Sequence, residues 1–117
     1  MSNVESLELA QCAAHAIDDK LGTDILILPV GDVLGITEYF VVGSASNPRQ
    51  VRAICDAVLE QVRAATGRGP LRSEGMGEQQ WVLIDYGDVV VHVFAEEARR
   101  FYEIERLYKD LVPVAWR

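Results

Sequence analysis

Residues 81–94 read Trp81-Val82-Leu83-Ile84-Asp85-Tyr86-Gly87-Asp88-Val89-Val90-Val91-His92-Val93-Phe94, and this stretch decides the fold. Two runs rich in β-branched and aromatic residues flank a Tyr-Gly-Asp turn, which is the pattern of a β-hairpin. Whether the two-residue loop is Tyr86-Gly87 or Gly87-Asp88, odd positions of the first strand pair with even positions of the second, so the two faces come out the same. One face is Val82, Ile84, Tyr86, Val89, Val91 and Val93, which suits a core. The other is Trp81, Leu83, Asp85, Val90, His92 and Phe94. That mixture of aromatic anchors and polar neighbours suits a binding patch, and equally a strand covered by a helix on its second side.

Upstream, Ser2 and Glu5 have the spacing of a capping box. Leu7, Ala10, Ala14, Ile17 and Leu21 then recur at steps of three and four before Gly22, which predicts an amphipathic helix. Ile25-Leu26-Ile27-Leu28-Pro29 reads as a buried strand, and Gly31, Asp32 and Gly35 punctuate a connection to a second strand, Tyr39-Phe40-Val41-Val42-Gly43. Asn47-Pro48 with Gln50 starts a second helix, whose face Val51, Ile54, Val58 and Val62 runs to a stop near Thr66-Gly67. Residues 67–80 hold four of the nine glycines, so any strand there is short, about 71–74. After the hairpin, residues 96–109 read as one helix with Phe101, Ile104 and Tyr108 at helical spacing, followed by a tail over 110–117. The order α-β-β-α-β-β-β-α predicts a single α/β (α+β) domain over 1–117, a mixed β-sheet of about five strands with helices packed on it.

The length of 117 residues matches one domain by the prior of roughly 100 to 200 residues per domain. Such a domain buries about two-thirds of its unfolded surface without needing disulfides. No apolar run approaches the roughly 18 residues of a membrane span, and the first residues lack the layout of a signal peptide, so the expectation is a soluble, cytoplasmic protein with no membrane partner. With 11 Lys plus Arg against 18 Asp plus Glu, the net charge is -7, which argues against wrapping nucleic acid. Residues 1–60 hold 3 basic and 9 acidic side chains, and residues 61–117 hold 8 and 9. The acidic first half is compatible with a basic protein partner, or simply with solubility. Cys12 and Cys55 sit within helical patterns and read as reduced, buried thiols.

Chemistry is sparse. Asp85, Asp88 and His92 could orient a base, yet Asp is common in turns and a histidine among strand valines is more often structural. Cys12-x-x-His15 supplies two ligands where a structural zinc wants four, so no metal is expected. Gly43-Ser44, at a strand end before a helix, is where a nucleotidyltransferase holds phosphates. Such an enzyme also needs carboxylates two apart on a neighbouring strand to clamp its metals. After Ser44 the only such pair, Glu103-x-Glu105, falls in the last helix. The reading is a nucleotidyltransferase-like fold with no catalytic residues, no enzyme activity and no cofactor; the rival reading is a nucleotide-binding or nucleotidyl-transferring enzyme using Gly43 and Ser44.

Several stretches together resemble one known family. Thr37-Glu38-Tyr39-Phe40-Val41-Val42, Arg49-Gln50-Val51-x-Ala53-Ile54, Glu74-Gly75, the whole of 81–94, and Arg100-x-Tyr102-x-x-Glu105-x-Leu107 resemble, in that order, the ribosomal silencing factor family, also called Iojap-related proteins. The resemblance covers about residues 4–109 and leaves the tail uncovered, with Trp116 either packed back or mobile. It departs at Glu38, where the family commonly has Asp, and at Tyr108, where it usually has Trp.

The resemblance implies a nucleotidyltransferase-like fold without transferase activity. It implies binding to the large ribosomal subunit through its fourteenth large-subunit protein, a basic partner, at the surface where the small subunit docks. Joining would be blocked sterically and translation repressed under nutrient limitation. Direct RNA contact is not expected to dominate, and a homodimer is a second partner to consider. Carried over by position, the contact region falls on the Trp strand and turn, with Trp81 and Tyr86 as apolar anchors and Asp85 and His92 as polar neighbours. Because Trp81 and Tyr86 lie on opposite faces, either the contact wraps the strand end or Tyr86 is core. Glu74 and Arg100 are a sheet-to-helix ion pair or further contacts.

Overall fold

Five strands and four α-helices alternate along residues 3–117, the part of the chain described by the computed structural model. They are α1 (Asn3–Asp19), β1 (Thr23–Leu28), α2 (Gly31–Leu34), β2 (Tyr39–Ala45), α3 (Pro48–Thr66), β3 (Arg72–Glu74), β4 (Trp81–Asp85), β5 (Val89–Ala95) and α4 (Glu96–Tyr102), with a 3-10 turn over Ile104–Tyr108. The sheet order is β1-β2-β5-β4-β3. β2 and β5 pair in parallel and the remaining neighbours are antiparallel, so the sheet is mixed as expected.

In the hairpin, Trp81 faces Phe94, Leu83 faces His92 and Asp85 faces Val90. The Tyr86 N–H donates to the Val89 carbonyl at 2.9 Å, which makes Gly87-Asp88 the loop, and Gly87 takes a φ of 95° that favours glycine. The apolar hairpin face packs under α1 and α3 with Ile27, Val41 and Ala45. Small residues on α1, Ala10, Ala13, Ala14 and Ala16, let that helix lie close to the sheet. At Gly43 the approach is so close that an added Cβ would stand 2.8 Å from Ile17 Cγ2.

The start of α3 follows the cap chemistry. Asn47 Oδ1 accepts from the Gln50 N–H at 2.8 Å and Pro48 occupies the first turn. Gln50 Oε1 reaches back one residue further than a capping box would, accepting from the Ser46 N–H at 2.7 Å. Gly67 closes the helix in the left-handed region. The expected box at Ser2 lies outside the described residues.

Three expectations change. Leu21 is not on the α1 stripe: it lies beyond the helix end, exposed, with a φ of 64°. The connection after β1 winds into the short α2. Residues 96–109 are not one helix, because Glu103 adopts a φ of 46° and ends α4. That break turns Ile104 into the second apolar cluster, beside Leu28, Val30, Val42, Phe94 and Ala98, and leaves Phe101 exposed. The tail packs back: the Val114 N–H donates to the Ile27 carbonyl at 2.8 Å along the β1 edge, and Trp116 meets the His15 ring edge-on.

Candidate functional site

The second hairpin face is half covered. α4 and the 3-10 turn lie over its Phe94 end, while its Asp85 end stays open. Trp81, partly exposed at the covered end, stacks on Phe94 with ring centres 4.9 Å apart and meets Tyr102 at 4.8 Å. Its indole N–H donates to His92 Nδ1 at 3.1 Å. The imidazole therefore carries its own proton on Nε2. His92 is only 3 % exposed, so it lies beneath this surface and not in it, a correction to its expected role as a surface contact. Burial pushes its pKa down to about 4 against a smaller opposing effect of the Asp85 charge, and the ring is neutral at pH 7. We expect Trp81→Phe to leave His92 Nδ1 unpartnered and to lose about 1 to 2 kcal/mol in urea denaturation. A loss below about 0.5 kcal/mol would show that this bond contributes little.

The two aspartates organise the turn. Asp85 Oδ1 accepts from the Gly87 N–H at 2.8 Å and Oδ2 from Arg72 Nε at 3.1 Å. Asp88 accepts from Arg68 Nη2 at 2.7 Å and from Ser6 Oγ at 2.6 Å, tying the turn to α1. Partial burial alone would raise the Asp88 carboxyl, but the hydrogen bonds from Arg68 and Ser6 outweigh it and hold the group below the ordinary carboxylate value. Among the described residues no carboxylate bonds to the His92 ring, whose Nδ1 is taken by Trp81, so Asp85, Asp88 and His92 do not form a base with its orienting acid. Tyr86 is core, 1 % exposed under the helices, because its position in the pleat points it away from Trp81. Burial, with a smaller contribution from Cys12, pushes its hydroxyl up to about 12.

Gly43 and Ser44 are also filled. Gly43 receives Ile17, and Ser44 Oγ accepts from Arg99 Nη1 at 2.8 Å. Arg99, 6 % exposed, also donates through Nε to Glu105 at 3.0 Å, made possible by the break at Glu103. The Ser44 hydroxyl is thus taken up by a buried arginine that is itself paired with Glu105. Glu74 pairs with Arg72 at 3.2 Å rather than with Arg100. Among the described residues no three His, Cys, Asp or Glu side chains cluster to hold a metal, and no helix is long and apolar enough to cross a membrane.

At the open end lies a groove of about 330 Å³. It crosses the sheet from the loop before β2 to the start of β3. Phe40, Leu83, Val90 and His92 line it, with Leu34 and Ile36 on one side and Leu71 and Arg72 on the other. Sequence reasoning missed Ile36 and Leu71. The available signal was an aliphatic residue set in each glycine-containing connection, Gly35-Ile36-Thr37 and Gly69-Pro70-Leu71.

Three comparisons place the chain among known proteins. The family model described as ribosomal silencing factor during starvation matches residues 3–115. The chain is 38% identical over 110 residues to ribosomal silencing factor RsfS of Halalkalibacterium halodurans, covering 94% of this chain and 91% of that protein. A Bacillus subtilis protein of the same name is 37% identical over 102 residues, with 87% and 86% covered. A crystal structure of a Chromobacterium violaceum protein superposes with a TM-score of 0.82 at 33% identity, covering 87% of this chain and 84% of that one.

Proposed function

The chain belongs to the ribosomal silencing factor family, and from that premise we propose that it binds the large ribosomal subunit and sterically blocks joining of the small subunit. Its partner in this reading is the basic fourteenth large-subunit protein, and the outcome is repressed translation under nutrient limitation. It acts in the cytoplasm as a binding protein, with no catalytic step, metal or cofactor.

The observation that carries the reading is the family match over 3–115 in a fold whose second sheet face remains partly uncovered. The contact surface is that face. Trp81 contributes its exposed edge and Asp85 holds the turn that shapes the open end. His92 supports Trp81 from below, and Tyr86 fixes the hairpin from the core side. An acidic chain meeting a basic ribosomal protein adds attraction and a faster encounter. Nucleotide transfer at Gly43 and Ser44 is disfavoured, since Ile17 and Arg99 already fill that end of β2.

Sedimentation of purified subunits through sucrose gradients tests the proposal. The protein is expected to travel with the large subunit, to shrink the joined peak, and to bind more weakly as potassium chloride is raised. A protein that stays at the top while subunits join normally would overturn it.

A further inference from the structure

The sheet order β1-β2-β5-β4-β3 leaves two edge strands, and they are guarded differently. β3 guards itself, being three residues long and carrying Arg72 and Glu74. Short, charged edge strands resist pairing with another chain. β1 has no such protection. Its register with β2 shifts between Thr23 and Leu26, where Asp24 takes a φ of 51°, but from Leu26 to Leu28 the pairing is regular. The stretch Ile25-Leu26-Ile27-Leu28 is aliphatic and uncharged, the kind of run that pairs readily when its edge is open.

The tail lies over that edge. It leaves the second apolar cluster, against which Tyr108 and Leu111 pack, and crosses β1 to the first, against which Val114 and Trp116 pack. Val114 and Ile27 form an antiparallel bridge through the 2.8 Å hydrogen bond already described. Beyond it, Gln11, His15 and Asp18, spaced along one face of α1, receive the tail in turn. Gln11 Nε2 donates to the Ala115 carbonyl at 3.0 Å, the His15 ring lies 5.4 Å from that of Trp116, and Asp18 pairs with Arg117 at 3.6 Å. The Gln11 and Asp18 contacts are exposed to solvent, and Val112, just before the bridge, is 80 % exposed. A gap of about 390 Å³ opens between Ile25, Leu26 and residues 113–117. Exposed hydrogen bonds and loose packing mark a segment that opens locally while the rest of the chain stays folded.

We propose that residues 113–117 are a detachable strap over the β1 edge, and that the edge it uncovers pairs with β1 of a second copy of this chain. Antiparallel pairing about a two-fold axis sets Ile27 opposite Ile27 and Leu26 opposite Leu28, with Asp24 outside the paired stretch. The Ile27 carbonyl that accepts from Val114 would then accept from the Ile27 N–H of the other copy. Strap and second copy therefore compete for one edge. The device belongs to the free chain and does not depend on ribosome binding.

Val114→Pro removes the N–H that bonds to Ile27, and Trp116→Ala removes the ring that rests against His15. The double variant is compared with the wild type by sedimentation equilibrium, with melting curves to verify the fold. The heteronuclear NOE of the Ala115 amide reports whether the strap is seated. The variant is expected to lose that NOE and to self-associate at least tenfold more strongly. Adding Ile25→Lys, which puts a charge on the edge, is expected to return association to the wild-type level. A free strap with association within twofold of the wild type would overturn the proposal. So would an unchanged Ala115 NOE, since Val114 and Trp116 would then not be what holds the strap. Association that survives both Ile25→Lys and Leu26→Lys would place the contact elsewhere and overturn β1 as the edge. Val114→Pro alone, which leaves every core side chain in place, repeats the comparison if the double variant melts early.

Discussion

Tyr86→Ala is expected to lose about 3 to 5 kcal/mol of folding stability, the cost of emptying a large aromatic site in a packed core. The ring is 1 % exposed among residues from α1, α3 and the sheet, so little of its space can collapse. Tyr86→Phe keeps the ring and removes only a buried hydroxyl that has no hydrogen-bond partner. Its stability is expected to equal the wild type or to exceed it by about 1 kcal/mol. Urea denaturation of the three proteins checks both values. A loss below about 1 kcal/mol in the alanine variant would contradict a core role. The pair also separates folding from binding. A phenylalanine variant that folds yet no longer travels with large subunits would return Tyr86 to the contact surface.

Acid should begin to destabilise the protein above the range where its carboxylates titrate, with His92 contributing a loss of about 3 kcal/mol between pH 7 and pH 4. The cause is His92. Burial depresses its folded pKa from 6.5 to about 4, while the Asp85 charge pulls weakly the other way. Between those two values the unfolded chain binds a proton that the folded chain refuses, so stability is complete above about 6.5 and falls until about 4. The groups around the ring are Trp81, Phe40 and Phe94, with Asp85 the nearby charge, and Trp81 already occupies Nδ1. Asp88 continues the decline at lower pH. Hydrogen bonds from Arg68 and Ser6 lower its carboxyl despite partial burial, so its contribution is present above the ordinary value of 3.8 and is lost below it. Denaturation curves at pH 7, 5.5 and 4.5, with the imidazole resonance of His92 followed by NMR, measure the effect. Equal stability at pH 7 and 4.5, or a midpoint near 6.5, would contradict it.

The same residues show how far local pattern reaches. Both faces of the hairpin were legible, because alternation along a strand places side chains without reference to the rest of the chain, while its register stayed open between two loops until the Tyr86–Val89 hydrogen bond decided it. Asn47 and Gly67 bounded α3 by equally local chemistry. Residues 96–109 misled for the opposite reason. Their helical spacing is real, but burying Ile104 and pairing Glu105 with Arg99 required a turn at Glu103 that no neighbouring residue announces. Gly43 and Ser44 read as a phosphate site for as long as Ile17 and Arg99, 26 positions before Gly43 and 55 positions after Ser44, could not be placed.

By itself, then, the sequence determined the five strands, the helix α3, the two faces of the hairpin and the family, since each is written in spacing and residue type along contiguous stretches. Tertiary structure decided which side of each face is covered. It put Tyr86 under the helices, His92 beneath Trp81, and Ile36 across from Leu71, which is 35 positions away along the chain. Burial is a property of what packs against a residue, and the residues that form the groove meet only when β2, β5, β4 and β3 come together in one sheet.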